Sequence, residues 1–393
     1  MKTYKIIFLI IAIFTLNFAT AQSYIPAYAN IVNQTSQTNI TNNLTEYEAL
    51  GVKRRGTPEL QNTLNWLKNK YLSYGYTNLQ MVEDTYSYSG FTCKNLTLNK
   101  VGTVYPNIYV IICGHYDSIS GTGTNDNGSG VVSILEMARL LKNVPTEYSI
   151  KFVNFSGEED GLKGSQAYVS NIVNATTPKL NIKLVFNLDE VGGVAGMVNN
   201  TITCERDTAS PTTNNAASNT FTNQMITCVG LYTSLNTFLS YAYASDYMSF
   251  QSNNEIITGM FETNETTHKH TPTDFLVNMD PVYNYNVAKA ATGSALHFAV
   301  ASTALSNDEF NSGYQVSFFP NPTSEFLNIN LGTLNDNYYE ISLIDINGKV
   351  AVEKSIINPD QIEKINVGLL EKGMYLVVLK TKNKKITKKI VIN

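Results

Sequence analysis

Five short segments of this chain put metal-ligating residue types where strands end or a helix begins. In order they are Gly114-His115-Tyr116-Asp117-Ser118, Asn125-Asp126-Asn127-Gly128-Ser129-Gly130, Gly157-Glu158-Glu159-Asp160-Gly161, Asn187-Leu188-Asp189-Glu190 and His270-Thr271-Pro272-Thr273-Asp274. Together they offer two imidazoles and three carboxylates as ligands, with one carboxylate to spare. A mixed nitrogen and oxygen donor set suits zinc, with cobalt or manganese as substitutes. A carboxylate with both oxygens free can span two ions, and an adjacent carboxylate can act as base toward water. The chemistry these residues suggest is two-metal hydrolysis.

The chain contains four histidines, at 115, 268, 270 and 297. His115 precedes Asp117, a natural partner to orient its ring. His297 falls in an expected amphipathic helix over 283–301 and reads as structural. His268 and His270 compete for the last ligand position; His270 is preferred because the turn Thr-Pro-Thr-Asp that follows it can fix a ring. Glu158 and Glu159 are adjacent after a strand, so their side chains cannot both point the same way. One can bind metal while the other faces substrate as base. Alone, an acidic pair in a loop reads as a solvated cluster; the company of His115, Asp126 and Asp189 changes that reading.

Alternating strands and helices must deliver these residues. The apolar run 108–112 leads to His115, 150–155 to Glu158 and Glu159, and 182–186 to Asp189, while Asp126 sits just before a helix over 129–141. Further helices are expected at 58–71, with Thr57 as cap and Pro58 in its first turn, and at 164–172. The alternation predicts an α/β fold, with a mainly parallel mixed sheet flanked by helices. Ligands bind beyond the carboxyl ends of the strands in such sheets, so four of the candidates arrive at one edge. Residues 22–45 read as an irregular arm or a weak first helix. A hairpin is expected over 91–99 and 107–114, which would set Cys93 opposite Cys113 in a disulfide. Cys204 and Cys228 would then be the remaining pair.

At 393 residues the chain is long enough for two domains, and its formal charge of -4 gives no reason to expect a nucleic-acid partner. Residues 1–21 read as an export signal: Lys2 and Lys5, an apolar run over 6–18, then Ala19-Thr20-Ala21 as cleavage site. That run is short of the roughly 20 residues a membrane span needs. The catalytic domain is placed at 22–301 and a linker at 302–313. A small all-β sandwich follows at 314–393, with turns at Asn347-Gly348 and Lys372-Gly373. Its end carries Lys380, Lys382, Lys384, Lys385, Lys388 and Lys389, which read either as a surface for an anionic partner or as a charged edge strand that blocks pairing.

The segments GHYDS, NDNGSG, GEEDGLKGS, NLDEVGG and HTPTD, in that order, resemble the co-catalytic di-zinc aminopeptidase family typified by bacterial leucyl aminopeptidase, over roughly residues 40–300. The resemblance implies a zinc-peptidase α/β/α sandwich with two zinc ions. It assigns Asp126 as bridging ligand, His115 and Asp189 to one metal, Glu159 and His270 to the other, and Glu158 as general base and acid. It further suggests a strained, possibly cis, Asp126–Asn127 peptide and a tyrosine, Tyr241 or Tyr243, beside the oxyanion. One departure is Ser245-Asp246-Tyr247, leading to Phe250, where the family usually has Ser-Asp-His; the pocket for the first substrate residue is therefore expected to differ. A second resemblance joins Phe319-Pro320-Asn321-Pro322-Thr323, the run LIDINGK over 343–349 and the run GMYL over 373–376 to the C-terminal sorting domain of the type IX secretion system. It implies passage by way of the periplasm through the outer membrane, followed by release or surface attachment.

These readings give an exported metallo-exopeptidase that removes N-terminal residues from peptides, with a monomeric catalytic domain and the secretion machinery as partner. The alternatives on the same scaffold are a carboxypeptidase or dipeptidase and a one-zinc glutaminyl cyclase-like enzyme. A non-enzymatic adhesin would have no need of Glu158.

Overall fold

The computed structural model describes residues 22–302, 316–332, 334, 336–345, 348–382 and 385–393. The expected export signal at 1–21 and residues 303–313 of the expected linker lie outside the described residues. The chain divides into two compact units, Met1–Ser302 and Thr303–Asn393.

The first unit opens with two helices, α1 (Pro26–Val32) and α2 (Gln37–Ala49), where the sequence suggested an irregular arm. The Asn and Thr content hid the pattern. Ile40, Leu44 and Tyr47 recur at helical spacing and are fully buried, and the Ser36 side chain caps α2 by accepting from Asn39 N–H. Helix α3 (Pro58–Ser73) begins as expected, with Thr57 accepting from Leu60 N–H. Strands β1 (Met81–Tyr88), β2 (Phe91–Lys100) and β3 (Tyr105–His115) follow, then α4 (Gly128–Leu141), β4 (Tyr148–Phe155), α5 (Lys163–Tyr168) and β5 (Asn181–Leu188). The unit closes with β6 (Thr201–Arg206), α6 (Asn215–Tyr232), β7 (Asn236–Tyr241), α7 (Tyr247–Ser252), β8 (Ile257–Glu262) and α8 (Pro281–Phe298).

The eight strands form one sheet in the order β1-β2-β4-β3-β5-β8-β6-β7. Neighbours β4, β3, β5 and β8 run parallel, β1–β2, β2–β4 and β6–β8 antiparallel. The central strands carry consecutive buried residues such as Val110, Ile111, Ile112 and Cys113, as a sheet covered on both faces requires. One core, on the side of α4 and α8, holds Val131, Leu135, Val287 and Leu296; the other holds Phe155, Tyr168 and Phe250.

This order corrects the expected hairpin and the expected disulfides. Strand β2 pairs with β1 and β4, so β4 lies between β2 and β3 and separates Cys93 from Cys113. The apolar runs on either side of Gly102 are neighbours in sequence but not in the sheet. All four cysteines, Cys204 and Cys228 included, are buried free thiols. Among the described residues no helix is long and apolar enough to cross a membrane.

The second unit contains β9 (Ser317–Phe319), β10 (Phe326–Asn330), β11 (Tyr338–Asp345), β12 (Val350–Ile357), β13 (Ile362–Asn366), β14 (Gly373–Lys380) and β15 (Lys385–Ile392). They form two sheets, β13-β10-β9 and β12-β11-β14-β15, closed over a core of its own in which Leu327, Ile329 and Ile365 meet Ile341, Leu343, Val377 and Leu379. The lysine-rich β15 is an edge strand, where ammonium groups oppose further pairing.

His297 sits on α8 with its Nε2 2.8 Å from the Tyr232 hydroxyl and its ring edge-on to Tyr28. Burial pulls its pKa down to about 4. An unfolded histidine takes up its proton near pH 6.5, so between those values the unfolded chain binds more protons than the folded one. The neutral ring's contribution is complete above about pH 6.5 and is lost as the pH falls toward 4. Thermal melts from pH 7 to 4 should therefore show a shallower acid decline of Tm in His297→Asn than in the parent chain. Equal slopes would reject the assignment.

Candidate active site

The parallel strands β4, β3 and β5 end side by side, with His115 opposite Phe155 and Cys113 opposite Asn187. Three expected ligands thus come to one edge, His115 as the last residue of β3, Glu159 just beyond β4 and Asp189 just beyond β5, with the expected base Glu158 beside Glu159. Asp126 is delivered by the loop ahead of α4. There Asn127 caps the helix by accepting from Gly130 N–H and donates its amide to the Leu188 carbonyl. Gly130 is required at this seam, since a Cβ would lie 2.3 Å from Asn127 Oδ1 and 2.5 Å from the Leu188 oxygen. The Asp126–Asn127 peptide is cis. His270 comes from the loop after β8 and is exposed.

All five side chains converge. His115 Nε2 lies 3.3 Å from Asp126 Oδ1 and 3.3 Å from Asp189 Oδ1. His270 Nε2 lies 3.0 Å from Asp126 Oδ2 and 3.1 Å from Glu159 Oε2. The two oxygens of Asp126 therefore face two different imidazoles. His115, Asp126 and Asp189 form one group able to hold a metal ion, and Asp126, Glu159 and His270 form another. His268, the competing histidine, instead places its Nδ1 2.8 Å from the Thr273 hydroxyl.

The donor atoms fit cations better than they fit one another. Asp126 Oδ2 and Asp189 Oδ1 are buried without a hydrogen-bond partner despite the nearby imidazoles. Such orphaned oxygens are costly unless something positive reaches them. The electrostatics agree. Burial alone would keep His115 neutral, but Asp189 and Glu158 around it push its pKa well above the ordinary value. Burial likewise opposes charge on Asp126, yet His115 and His270 hold it below the usual carboxylate range. Burial, reinforced by Asp126, moves Glu159 up to about 8. A bound divalent ion reverses that logic and keeps the carboxylates charged.

Supporting groups hold the ligands. Asp117 approaches His115 Nδ1 at 3.6 Å and accepts from the N–H groups of Glu158 at 3.2 Å and Glu159 at 3.3 Å. One carboxylate thus orients the ring and fixes the loop that splits the two glutamates. Ser245 donates to Asp189 Oδ2 and accepts from Asn187 Nδ2 at 2.8 Å. Sequence reasoning gave Asp274 a place only in the turn after His270. Its carboxylate accepts from the N–H of Asn125 at 2.8 Å and of Asp126 at 3.0 Å, clamping the loop that carries the shared ligand. Glu262 also went unnoticed; it accepts from Asn125 Nδ2 and from Gly193 N–H. The signal available for Asp274 was its place in the same motif as His270; Glu262 had none.

The ligands open on a cavity of about 280 Å³, also lined by Glu158, Glu190, Glu205, Tyr243, Tyr247, Phe261 and Lys269. Burial pushes the Glu158 carboxyl well above the ordinary glutamate value, against the pull of His115. Of the two tyrosines suggested for an oxyanion, Tyr243 lines the cavity, whereas Tyr241 on β7 is 58% exposed and does not. Phe250 is buried in the core.

Residues 95–294 match the profile described as Peptidase family M28, and residues 317–393 that of a secretion system C-terminal sorting domain. Aminopeptidase YwaD of Bacillus subtilis (strain 168) is 45% identical over 89 residues, which are 22% of this chain and 19% of the relative. The chain therefore spans about a fifth of that relative's length. The LapA aminopeptidase structure from Legionella pneumophila is 20% identical with a TM-score of 0.61, covering 75% of this chain and 80% of that one. A glutaminyl cyclase structure from Bacteroides thetaiotaomicron is 17% identical with a TM-score of 0.54, covering 66% of this chain and 97% of that one. At these identities the two structures share a fold with this chain.

Proposed function

The chain belongs to peptidase family M28, and from that premise we propose that it is a secreted aminopeptidase dependent on two zinc ions, with Glu158 as general base. The observation that carries the reading is the sharing of Asp126, whose two oxygens face His115 on one side and His270 on the other. His115 and Asp189 would hold one ion, Glu159 and His270 the second, and Asp126 both. When bound, the ions supply Lewis acidity that lowers the pKa of water and polarises a carbonyl.

The remaining work falls to the chain's own groups. Glu158 takes a proton from the attacking water and passes it to the leaving amine. Its buried carboxyl, with a raised proton affinity, suits both halves of that task. Asp117 keeps Glu158 and Glu159 apart by gripping both N–H groups. Tyr243 lines the cavity, which favours it over Tyr241 as the group that would steady a developing oxyanion. A cavity of about 280 Å³ suits the end of a peptide, and its excess of carboxylates suits an N-terminal ammonium. A carboxypeptidase would need a free cation for the substrate carboxylate, but Lys269 is already engaged by Glu190 and Glu265. The sorting domain at 317–393 supports secretion or surface attachment.

Purified, dialysed protein should contain about two zinc ions per chain by plasma emission. It should also release free amino acids from an unblocked peptide, but not from its N-acetylated form, and a chelator should abolish this. A reproducible value of one ion or fewer, with no amino acid released, would overturn the reading in favour of a one-zinc cyclase.

A further inference from the structure

We propose that Glu205 reads the side chain of the substrate's first residue and that the cavity thereby selects lysine and arginine at that position. The inference rests on the aminopeptidase reading and names its substrate class.

Glu205 lies on β6 in register with Gly259 on β8, which is itself in register with Asn187 on β5. These three residues therefore share one face of the sheet. Asn187 reaches Asp189 through Ser245, and Glu205 stands two strands away on the same face. Strands are spaced about 4.8 Å apart, so that offset is about 10 Å, within reach of a long side chain whose backbone sits at the ligands. The strand between them is kept low by Gly259. A Cβ there would come within 2.6 Å of the Tyr247 ring and 3.1 Å of Glu205 Oε2.

The Glu205 residue is only 3% exposed, yet it lines the cavity. Tyr247 donates to its Oε2 at 2.6 Å. That bond to Oε2 is the one side-chain hydrogen bond of Glu205 among the described residues, and the residue lines the cavity. No cation pairs with Glu205 among those residues. Lys269, in the same cavity, lies 3.4 Å from Glu190 Oε1 and is also paired with Glu265. Burial, with Asp189 adding to it, raises Glu205 to about 8 against the Tyr247 hydrogen bond, and a cation seated beside it would hold it ionised. Tyr243 and Phe261 supply aromatic wall for the stem and charge of a basic side chain. A leucine in this place would leave the carboxylate unpaired, which is the stronger basis for discrimination.

A purely structural Glu205–Tyr247 bond would fix Tyr247 and leave side-chain preference flat. The test uses the zinc-loaded full chain with the p-nitroanilides of arginine, its uncharged isostere citrulline, lysine and leucine. Arginine should exceed citrulline in kcat/KM by about 10- to 100-fold, as expected for one charge-assisted hydrogen bond. Glu205→Gln should bring that ratio close to unity while leucine is still cleaved. Equal rates for arginine and citrulline in the parent chain would overturn the inference, as would an undiminished ratio in the variant. If Glu205→Gln does not fold, the arginine and citrulline comparison in the parent chain decides alone. Failure to cleave any of the four anilides would overturn the aminopeptidase reading itself, and the inference with it.

Discussion

Glu158→Gln should fold, keep its metal and lose kcat by about 10²- to 10⁴-fold, the usual cost of removing a positioned general base. The amide preserves shape and the N–H contact to Asp117, since that bond uses the Glu158 backbone. It removes only the capacity to accept and return a proton. KM should change little, because the carboxylate acts on the transition state rather than on the bound peptide. Glu159→Gln is the control one residue away. Its Oε2 stands 3.1 Å from His270 Nε2 in the group with Asp126, so this variant should lose one ion. Asp126→Asn should lose both, since each of its oxygens serves a different imidazole. Metal analysis beside stopped assays on the three proteins settles the division of roles. If Glu158→Gln and Glu159→Gln retained the same metal content, base and ligand would be wrongly assigned.

Part of the proposed ligand set was legible in sequence because His115, Glu159 and Asp189 each sit just past an apolar run, while Asp126 and His270 were marked only by their motifs. When β3, β4 and β5 align in parallel, His115, Glu159 and Asp189 have no other edge to occupy. The antiparallel flank was not legible. Residues 91–100 and 105–115 look like one hairpin, and nothing in either run announces that β4, some fifty residues later, will come between them. The disulfide expectation failed with that hairpin. Helix α2 was obscured for a local reason: Asn and Thr surround Ile40, Leu44 and Tyr47 and dilute the stripe. Glu205, Glu262 and Asp274 illustrate a further limit. Their significance lies in what faces them across strands or loops, and a single acidic residue carries no local mark of which distant group it will meet. Asp274 clamps a loop some 150 residues earlier in the chain. Such contacts follow from tertiary pairing and not from spacing.

Removing residues 316–393 should leave peptide hydrolysis intact and abolish passage through the outer membrane. Two features of the fold argue for the first half. The second unit builds its core from its own strands, with Leu327, Ile341, Leu343, Val377 and Leu379 fully buried within it. The proposed ligands and base, His115, Asp126, Glu158, Glu159, Asp189 and His270, all belong to the first unit, as do Asp117 and Asp274 that hold them. The second half rests on the match of 317–393 to a secretion sorting domain. The measurement compares chains ending at 315 and at 393 in a host that carries the type IX system. Hydrolysis by the purified truncate is assayed beside protein recovered from the medium, cell surface and periplasm. Full-length chains should appear outside the cell and truncated ones should accumulate in the periplasm, at equal specific activity. A folded but inactive truncate would place part of the site in the second unit. Normal export of the truncate would remove the sorting role from the tail.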